Sequence, residues 1–211
     1  FGPHGLGYSP TQEAEIEQIY QKKSYVSSPW DKQGNIIEIQ RIGETHIKHI
    51  LRLVNYENHI RKFNVVMDPG NGSASMIGPT LLGNMGLKYI TLNSQPDGRF
   101  PGRNSEPSPE ELIDLSNIVK NEDEFELGIA FDGDADRVVF IDEKGNWVEP
   151  IRVLTFLARE YILEKYPDQS SRPELSVVTP VNSSGVIEHI LEPMGVKVHR
   201  TKVGDINVSL L

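Results

Sequence analysis

Apolar residues follow two spacings that alternate along the chain, and this alternation predicts an α/β protein. Buried-strand runs are read at 63–68 (Phe63-Asn64-Val65-Val66-Met67-Asp68), 87–92, 127–131, 138–142, 175–179 and 196–199. Helical spacing is read between them, over 73–85, from Ser108 to about Asn121, over 150–166, and from a Ser183 cap to Met194. The 150–166 helix carries Val153, Leu154, Phe156, Leu157, Tyr161 and Ile162 on its apolar side. Ahead of the first strand, 41–58 has helical spacing at Ile47, Ile50, Leu51 and Val54. Earlier still, Ser9 predicts a helix cap, Pro10 suits the first helical position and Gln12 completes a capping box, giving a helix to about Lys22. Ser108-Pro109-Glu110-Glu111 repeats that chemistry, with Glu111 in the box position. The stretch 27–40, punctuated by Pro29 and Gly34, reads as a linker with a short strand at 35–39.

This order implies mixed or parallel sheets with flanking helices. It divides the chain into a tail and linker (1–40), a complete α/β domain (41–147) and the start of another (148–211), with Glu143-Lys144-Gly145-Asn146 as a hairpin or boundary turn. The 211 residues are enough for cores of that number. Both ends read as cut: Phe1-Gly2-Pro3-His4-Gly5 opens in a loop, and Leu211 stops within an apolar stretch.

Composition narrows the function. A net charge of −9 argues against a nucleic-acid partner, which needs a basic surface. No apolar run approaches the ~18 residues of a membrane span, so no membrane partner is expected. The absence of cysteine rules out a disulfide framework, a thiolate metal site and a cysteine nucleophile, and fits a reducing, cytoplasmic setting.

The chemistry concentrates in Asp132-Gly133-Asp134-Ala135-Asp136-Arg137, flanked by strand-like segments. Three carboxylates in so short a loop repel one another unless a cation sits among them, and carboxylate oxygens suit a hard cation such as Mg²⁺. A solvated acidic turn leaves the small residues Gly133 and Ala135 and the arginine at the end of the run unexplained. An EF-hand is excluded because Arg137 stands where that loop needs glycine, and because strands rather than helices flank it. A phosphatase-type carboxylate nucleophile remains a rival, since Asp132 and Asp134 follow a strand. The third aspartate favours a metal cage, which would crowd a nucleophile.

Other candidates are weaker. Pro69-Gly70-Asn71-Gly72 sits between a strand and a helix start but lacks the lysine and spacing of a P-loop, and reads as a tight turn. His46 and His49 share a helix face beside Lys48 and Arg52, with no carboxylate partner nearby. Arg99 and Arg103, in the Gly/Pro-rich segment 93–106, would either bind phosphate or belong to a loop held rigid against a neighbouring domain. Thr201-Lys202-Val203-Gly204-Asp205 ends a strand, where open α/β sheets place ligands.

Taken together, Gly128-Ile129-Ala130-Phe131-Asp132-Gly133-Asp134-Ala135-Asp136-Arg137, Pro96-Asp97-Gly98-Arg99-Phe100-Pro101 and Val66-Met67-Asp68-Pro69-Gly70-Asn71-Gly72 resemble the α-D-phosphohexomutases, the phosphomannomutases and phosphoglucomutases. The resemblance covers essentially the whole chain. It implies the tail of domain 1, all of domain 2 and the start of domain 3 of a four-domain enzyme. It further implies Asp132, Asp134 and Asp136 as Mg²⁺ ligands, with a phosphoserine oxygen completing the set, and Arg137 as a catalytic residue beside that phosphate. The implied reaction moves phosphate between a serine and a mannose or glucose phosphate through a bisphosphate, with the remaining domains of the parent chain as partners. No serine here lies in the family's nucleophile loop, so this stretch alone should be inactive. Gly204-Asp205 stands where bacterial relatives carry Gly-His, and Asn182 where a basic lysine is expected.

Overall fold

The computed structural model describes residues 7–54 and 63–209. The last part of the helix expected over 41–58, the opening loop at 1–5 and the apolar end at Leu211 lie outside the described residues. The chain separates into two compact units, Ile39–Val153 and the remainder. No helix among the described residues is long and apolar enough to cross a membrane.

The remainder unit includes α1 (Pro10–Lys22), which starts as its sequence dictates. The Ser9 side chain accepts from the Gln12 N–H while the Gln12 side chain accepts from the Ser9 N–H, closing the capping box. Beyond it, Trp30–Lys32 forms a single short 3-10 turn. The strand expected at 35–39 does not form: Ile36 is 101 % exposed and Ile37 nearly as open. A lone extended segment has no partner for its backbone donors and acceptors, and alternation cannot supply one.

The unit Ile39–Val153 holds α2 (Ile42–Leu53), β1 (Asn64–Asp68), α3 (Ala74–Asn84), β2 (Lys88–Thr91), α4 (Ile113–Asn121), β3 (Leu127–Phe131), β4 (Val138–Ile141) and β5 (Trp147–Val148). Its sheet has the order β2-β1-β3-β4-β5. β1 runs parallel to both neighbours, and β3–β4 and β4–β5 are antiparallel, so the sheet is mixed. The central β1 buries Val65, Val66 and Met67 in succession, because helices cover both faces and a two-sided strand reads as a continuous apolar run. On one face Val66, Ala130, Val139 and Ile141 pack with Leu112, Leu115, Val119 and Phe125 on and beside α4. On the other, Val65 and Met67 meet Ala74 and Leu82 of α3. Gly128 permits the close layer on the α4 side, since a Cβ there would sit 3.2 Å from Leu115 Cγ on α4 and 2.8 Å from the Cβ of Ile141 on the neighbouring β4.

The α4 start differs from expectation. The helix begins at Ile113 rather than after Ser108, and its cap position, Leu112, makes no side-chain cap hydrogen bond. The Glu111 side chain does not reach back to Ser108: its carboxylate accepts from the Asn104 N–H and from the Asn104 side-chain amide, tying down the preceding segment. A bond to Asn104, outside the helix start, has outcompeted the capping box.

α5 (Pro150–Lys165) leaves Leu154, Phe156, Leu157 and Tyr161 of its expected apolar side exposed, burying Ile162 and Thr155. The remainder unit also contains β6 (Leu175–Pro180), α6 (Val186–Leu191), β7 (Val196–Thr201) and α7 (Asp205–Ser209), with β6 and β7 parallel. Ser183 does not cap α6: its hydroxyl pairs with that of Thr179 at 2.7 Å, and the helix starts after Gly185. Arg200 on β7 gathers the turn after β6, donating to the carbonyls of Pro180, Val181, Ser183 and Ser184 and to the Glu188 carboxylate.

Candidate metal centre

The acidic loop is the connection between β3 and β4, at the point where the sheet turns from parallel to antiparallel. Its reversal uses a left-handed residue, Ala135 at φ 66°, whose N–H donates to the Asp132 carbonyl at 3.3 Å. The Asp132 N–H in turn donates to the Arg137 carbonyl at 3.3 Å, closing the loop across its neck. One oxygen from each of Asp132, Asp134 and Asp136 lies within 4.8 Å of the others. Asp132 is 2 % exposed, while Asp134 and Asp136 face solvent. The three predicted ligands therefore converge as one cluster of hard oxygen donors suited to a hard cation.

Electrostatics inside the loop are uneven. Burial pushes the Asp132 carboxyl up, but the Arg137 N–H, the Asp136 side chain and the Arg137 guanidinium outweigh it and hold it below the usual carboxylate range. Asp136 moves the other way. The hydrogen bond it shares with Asp132 raises it first, then desolvation and the charges of Asp132 and Asp134, with Arg137 offsetting only part. Crowded like charges raise the pKa of the group that shares its proton with a neighbouring carboxylate.

Arg137 sits beside the cluster. Its Nε donates to Asp132 Oδ2 at 2.8 Å, lies 3.4 Å from Asp136 Oδ1, and its Nη1 pairs with Glu106. Its side chain remains 58 % exposed.

The loop is braced from three other segments. Ser73 donates its N–H to the Gly133 carbonyl at 3.0 Å, and a Cβ on Gly72 would come within 2.5 Å of that oxygen, so the turn 69–72 seats directly on the acidic loop. On its other side Gly133 leaves room for the Phe100 ring and Ser105. Asn71, at φ 58°, donates to the Gln95 carbonyl and accepts from Gly102, tying the turn to the 93–106 segment. The turn is thus a support for the acidic loop, a role its composition does not announce.

The two arginines of that segment separate. Arg99 is exposed and pairs with Asp97. Arg103 is buried against Asp68 and hydrogen-bonds the Phe131 carbonyl at 2.6 Å, so the segment is held rigid by its own sheet. Asp68, Asn71, Asn93 and Glu106 are site neighbours that sequence reasoning misses; the one signal for them is an aspartate at a strand's carboxyl end followed by Gly70. His46 and His49 are exposed on α2 and join no metal-type cluster among the described residues. At the other strand end, Gly204 takes φ 126° and Asp205 opens α7, its carboxylate accepting from Ile206.

Comparison with known proteins supplies the family. Residues 44–145 match the family model described as phosphoglucomutase/phosphomannomutase, alpha/beta/alpha domain II, and 152–210 match domain III of the same family. The chain belongs to the α-D-phosphohexomutase superfamily. The acidic loop falls inside the domain II match. Among curated phosphohexomutases, a probable phosphoglucosamine mutase of Methanopyrus kandleri is 39 % identical over 205 residues, covering 97 % of this chain and 43 % of the relative. The phosphoglucosamine mutase of Methanocaldococcus jannaschii is 37 % identical, over 99 % of this chain and 45 % of the relative. The chain thus spans under half the length of these relatives. A phosphoglucomutase/phosphomannomutase family protein of Burkholderia thailandensis shares the fold at a TM-score of 0.82 and 22 % identity, covering 98 % of this chain and 42 % of that one. A putative phosphomannomutase of Thermus thermophilus shares it at 0.68 and 21 % identity, over 81 % and 38 %.

Proposed function

We propose that this chain carries the metal-binding part of a magnesium-dependent phosphohexomutase that interconverts the 1- and 6-phosphates of a hexosamine. The observation that carries the reading is the convergence of the Asp132, Asp134 and Asp136 carboxylates beside Arg137, within the segment matching domain II. Under it, 41–147 is the metal-binding domain, 148–211 begins the next, and 1–40 closes the one before. Glucosamine phosphate stands ahead of the expected mannose or glucose phosphate because relatives at 37–39 % identity are named for it.

Asp132, buried and held ionised, anchors the cation, and Asp134 and Asp136 close on it from the solvent side. Mg²⁺ would supply positive charge at the phosphoryl group, and charge and positioning carry most of such transfers. Arg137 is the catalytic residue. Its guanidinium has five donors, more than its contacts to Asp132, Asp136 and Glu106 use, and those left over suit a phosphoserine oxygen brought from outside this chain.

The test is the full-length protein with Mg²⁺, glucosamine 6-phosphate and a trace of the 1,6-bisphosphate, followed by phosphorus NMR. The 1-phosphate is expected. Inorganic phosphate alone would make the protein a hydrolase, and binding without turnover a sugar-phosphate-binding module. Asp134→Asn should lower Mg²⁺-dependent turnover by about a hundredfold or more, since groups that merely orient a ligand already account for about ten- to a hundredfold; unchanged turnover would remove the metal assignment.

A further inference from the structure

Asp68 and Arg103 form an ion pair in which both side chains are 3 % exposed, and the chemistry assigned above uses neither. Taking two charges out of water costs more than their attraction commonly returns, so apolar side chains of similar volume would serve the core at least as well. Arg103 has other acceptors that an apolar residue cannot satisfy. Its Nε donates to Asp68 Oδ2 at 3.0 Å, Nη2 to the carbonyls of Asp68 at 3.1 Å and Phe131 at 2.6 Å, and Nη1 to that of Asn104 at 2.9 Å. Asp68 is itself fixed, accepting from the Gly70 N–H at 2.7 Å and from the Asn93 amide at 3.2 Å. The turn is shaped around the guanidinium: a Cβ on Gly70, at φ 57°, would meet it at 2.6 Å.

The Phe131 carbonyl belongs to the peptide group whose N–H is that of Asp132. Arg103 holds the oxygen of that peptide, and the Arg137 carbonyl accepts from its nitrogen at 3.3 Å. Both ends of one peptide plane are pinned, and from that plane the buried ligand Asp132 departs. A planar fork reaching β1, β3 and the 93–106 segment together is something guanidinium provides and ammonium does not.

We infer that Arg103, held by Asp68, is a positioning residue of the cation site, presetting the backbone from which Asp132 binds. The inference rests on the metal-centre reading. Mn²⁺ alone, titrated into the full-length protein and followed by electron paramagnetic resonance of the free ion, tests both. Wild type should show one site that Asp134→Asn abolishes; if it does not, the metal-centre reading itself fails. Arg103→Lys keeps a cation for Asp68 but loses the branch to Phe131, and should weaken Mn²⁺ binding by about ten- to a hundredfold, the range for groups that orient a ligand. Asp68→Asn/Arg103→Met removes both buried charges and should show the same loss. Each is measured at a temperature where circular dichroism shows the protein fully folded. A purely structural role would lower the melting temperature and leave Mn²⁺ affinity of the folded protein unchanged. Unchanged affinity in either folded variant overturns the inference, even with the wild-type site intact.

Discussion

Replacing Gly72 with alanine should displace the acidic loop without touching any charged group. The added Cβ would lie 2.5 Å from the Gly133 carbonyl oxygen and 3.0 Å from its carbon and Cα. Both contact surfaces are backbone, so no flexible side chain can yield. Reaching an ordinary contact of 3.4 Å requires the turn and the loop to part by 0.9 Å. That movement carries the Ser73 N–H, now 3.0 Å from the same oxygen, beyond hydrogen-bonding range. Forced displacement of packed backbone costs about 1–3 kcal/mol, and the lost hydrogen bond adds about 0.5–1.5 kcal/mol. A destabilisation of about 1.5–4.5 kcal/mol follows. In urea, with m near about 2 kcal/mol/M, the unfolding midpoint should fall by about 1–2 M. Mn²⁺ affinity of the folded variant should fall as well, because the displaced segment holds Asp132 and Asp134. Gly98→Ala is the control, since a Cβ at that position would have nothing within 4 Å of it; it should stay within about 0.5 kcal/mol of wild type. If Gly72→Ala matches that control in stability and in Mn²⁺ affinity, the close seating of the turn on the loop is wrong.

Leu115→Ala, at a fully buried position against α4's side of the sheet, should cost about 2–5 kcal/mol in urea denaturation while leaving Mn²⁺ affinity of the folded protein unchanged. Asp142, at the β4–β5 turn, is raised by burial but lowered further by the Asn146 N–H, the Asn146 side chain and the Lys144 N–H, so its folded value lies below the usual one. A depressed carboxyl stabilises above its unfolded pKa of about 3.9, and the contribution disappears as pH falls through the folded value. Wild type should therefore exceed Asp142→Asn in stability at neutral pH, the gap closing below about pH 4; a gap independent of pH would contradict the assignment. Arg99→Ala removes an exposed pair with Asp97 and should change stability by less than about 1 kcal/mol by thermal melting.

Legibility in the sequence followed the range of the forces involved. β3 occupies the expected 127–131, and α1 begins at its expected capping box, because each depends on neighbours within a few positions. The carboxylate cluster was legible for the same reason, its members being adjacent in sequence. The expectations that missed were settled by competing partners that periodicity and cap rules do not weigh, some of them only four to seven positions away. Glu111 left its helix cap for Asn104, Ser183 turned to Thr179, and the apolar alternation at 35–39 met no neighbouring strand among the described residues. Arg103 shows the limit most clearly. Its segment suggested either phosphate binding or rigidity, and only the meeting of 68, 103 and 131 decides for the buried role.

The braces around the acidic loop also say how much of the protein would have to move for the site to be transplanted. Grafted onto another hairpin, Asp132–Arg137 would bring its charges but lose the turn under Gly133 and the guanidinium behind Phe131. Such a graft should behave as a floppy acidic turn. The smallest portable piece is the sheet together with the turn after β1 and the 93–106 segment, so the proposed cation site would transfer as a domain rather than as a motif.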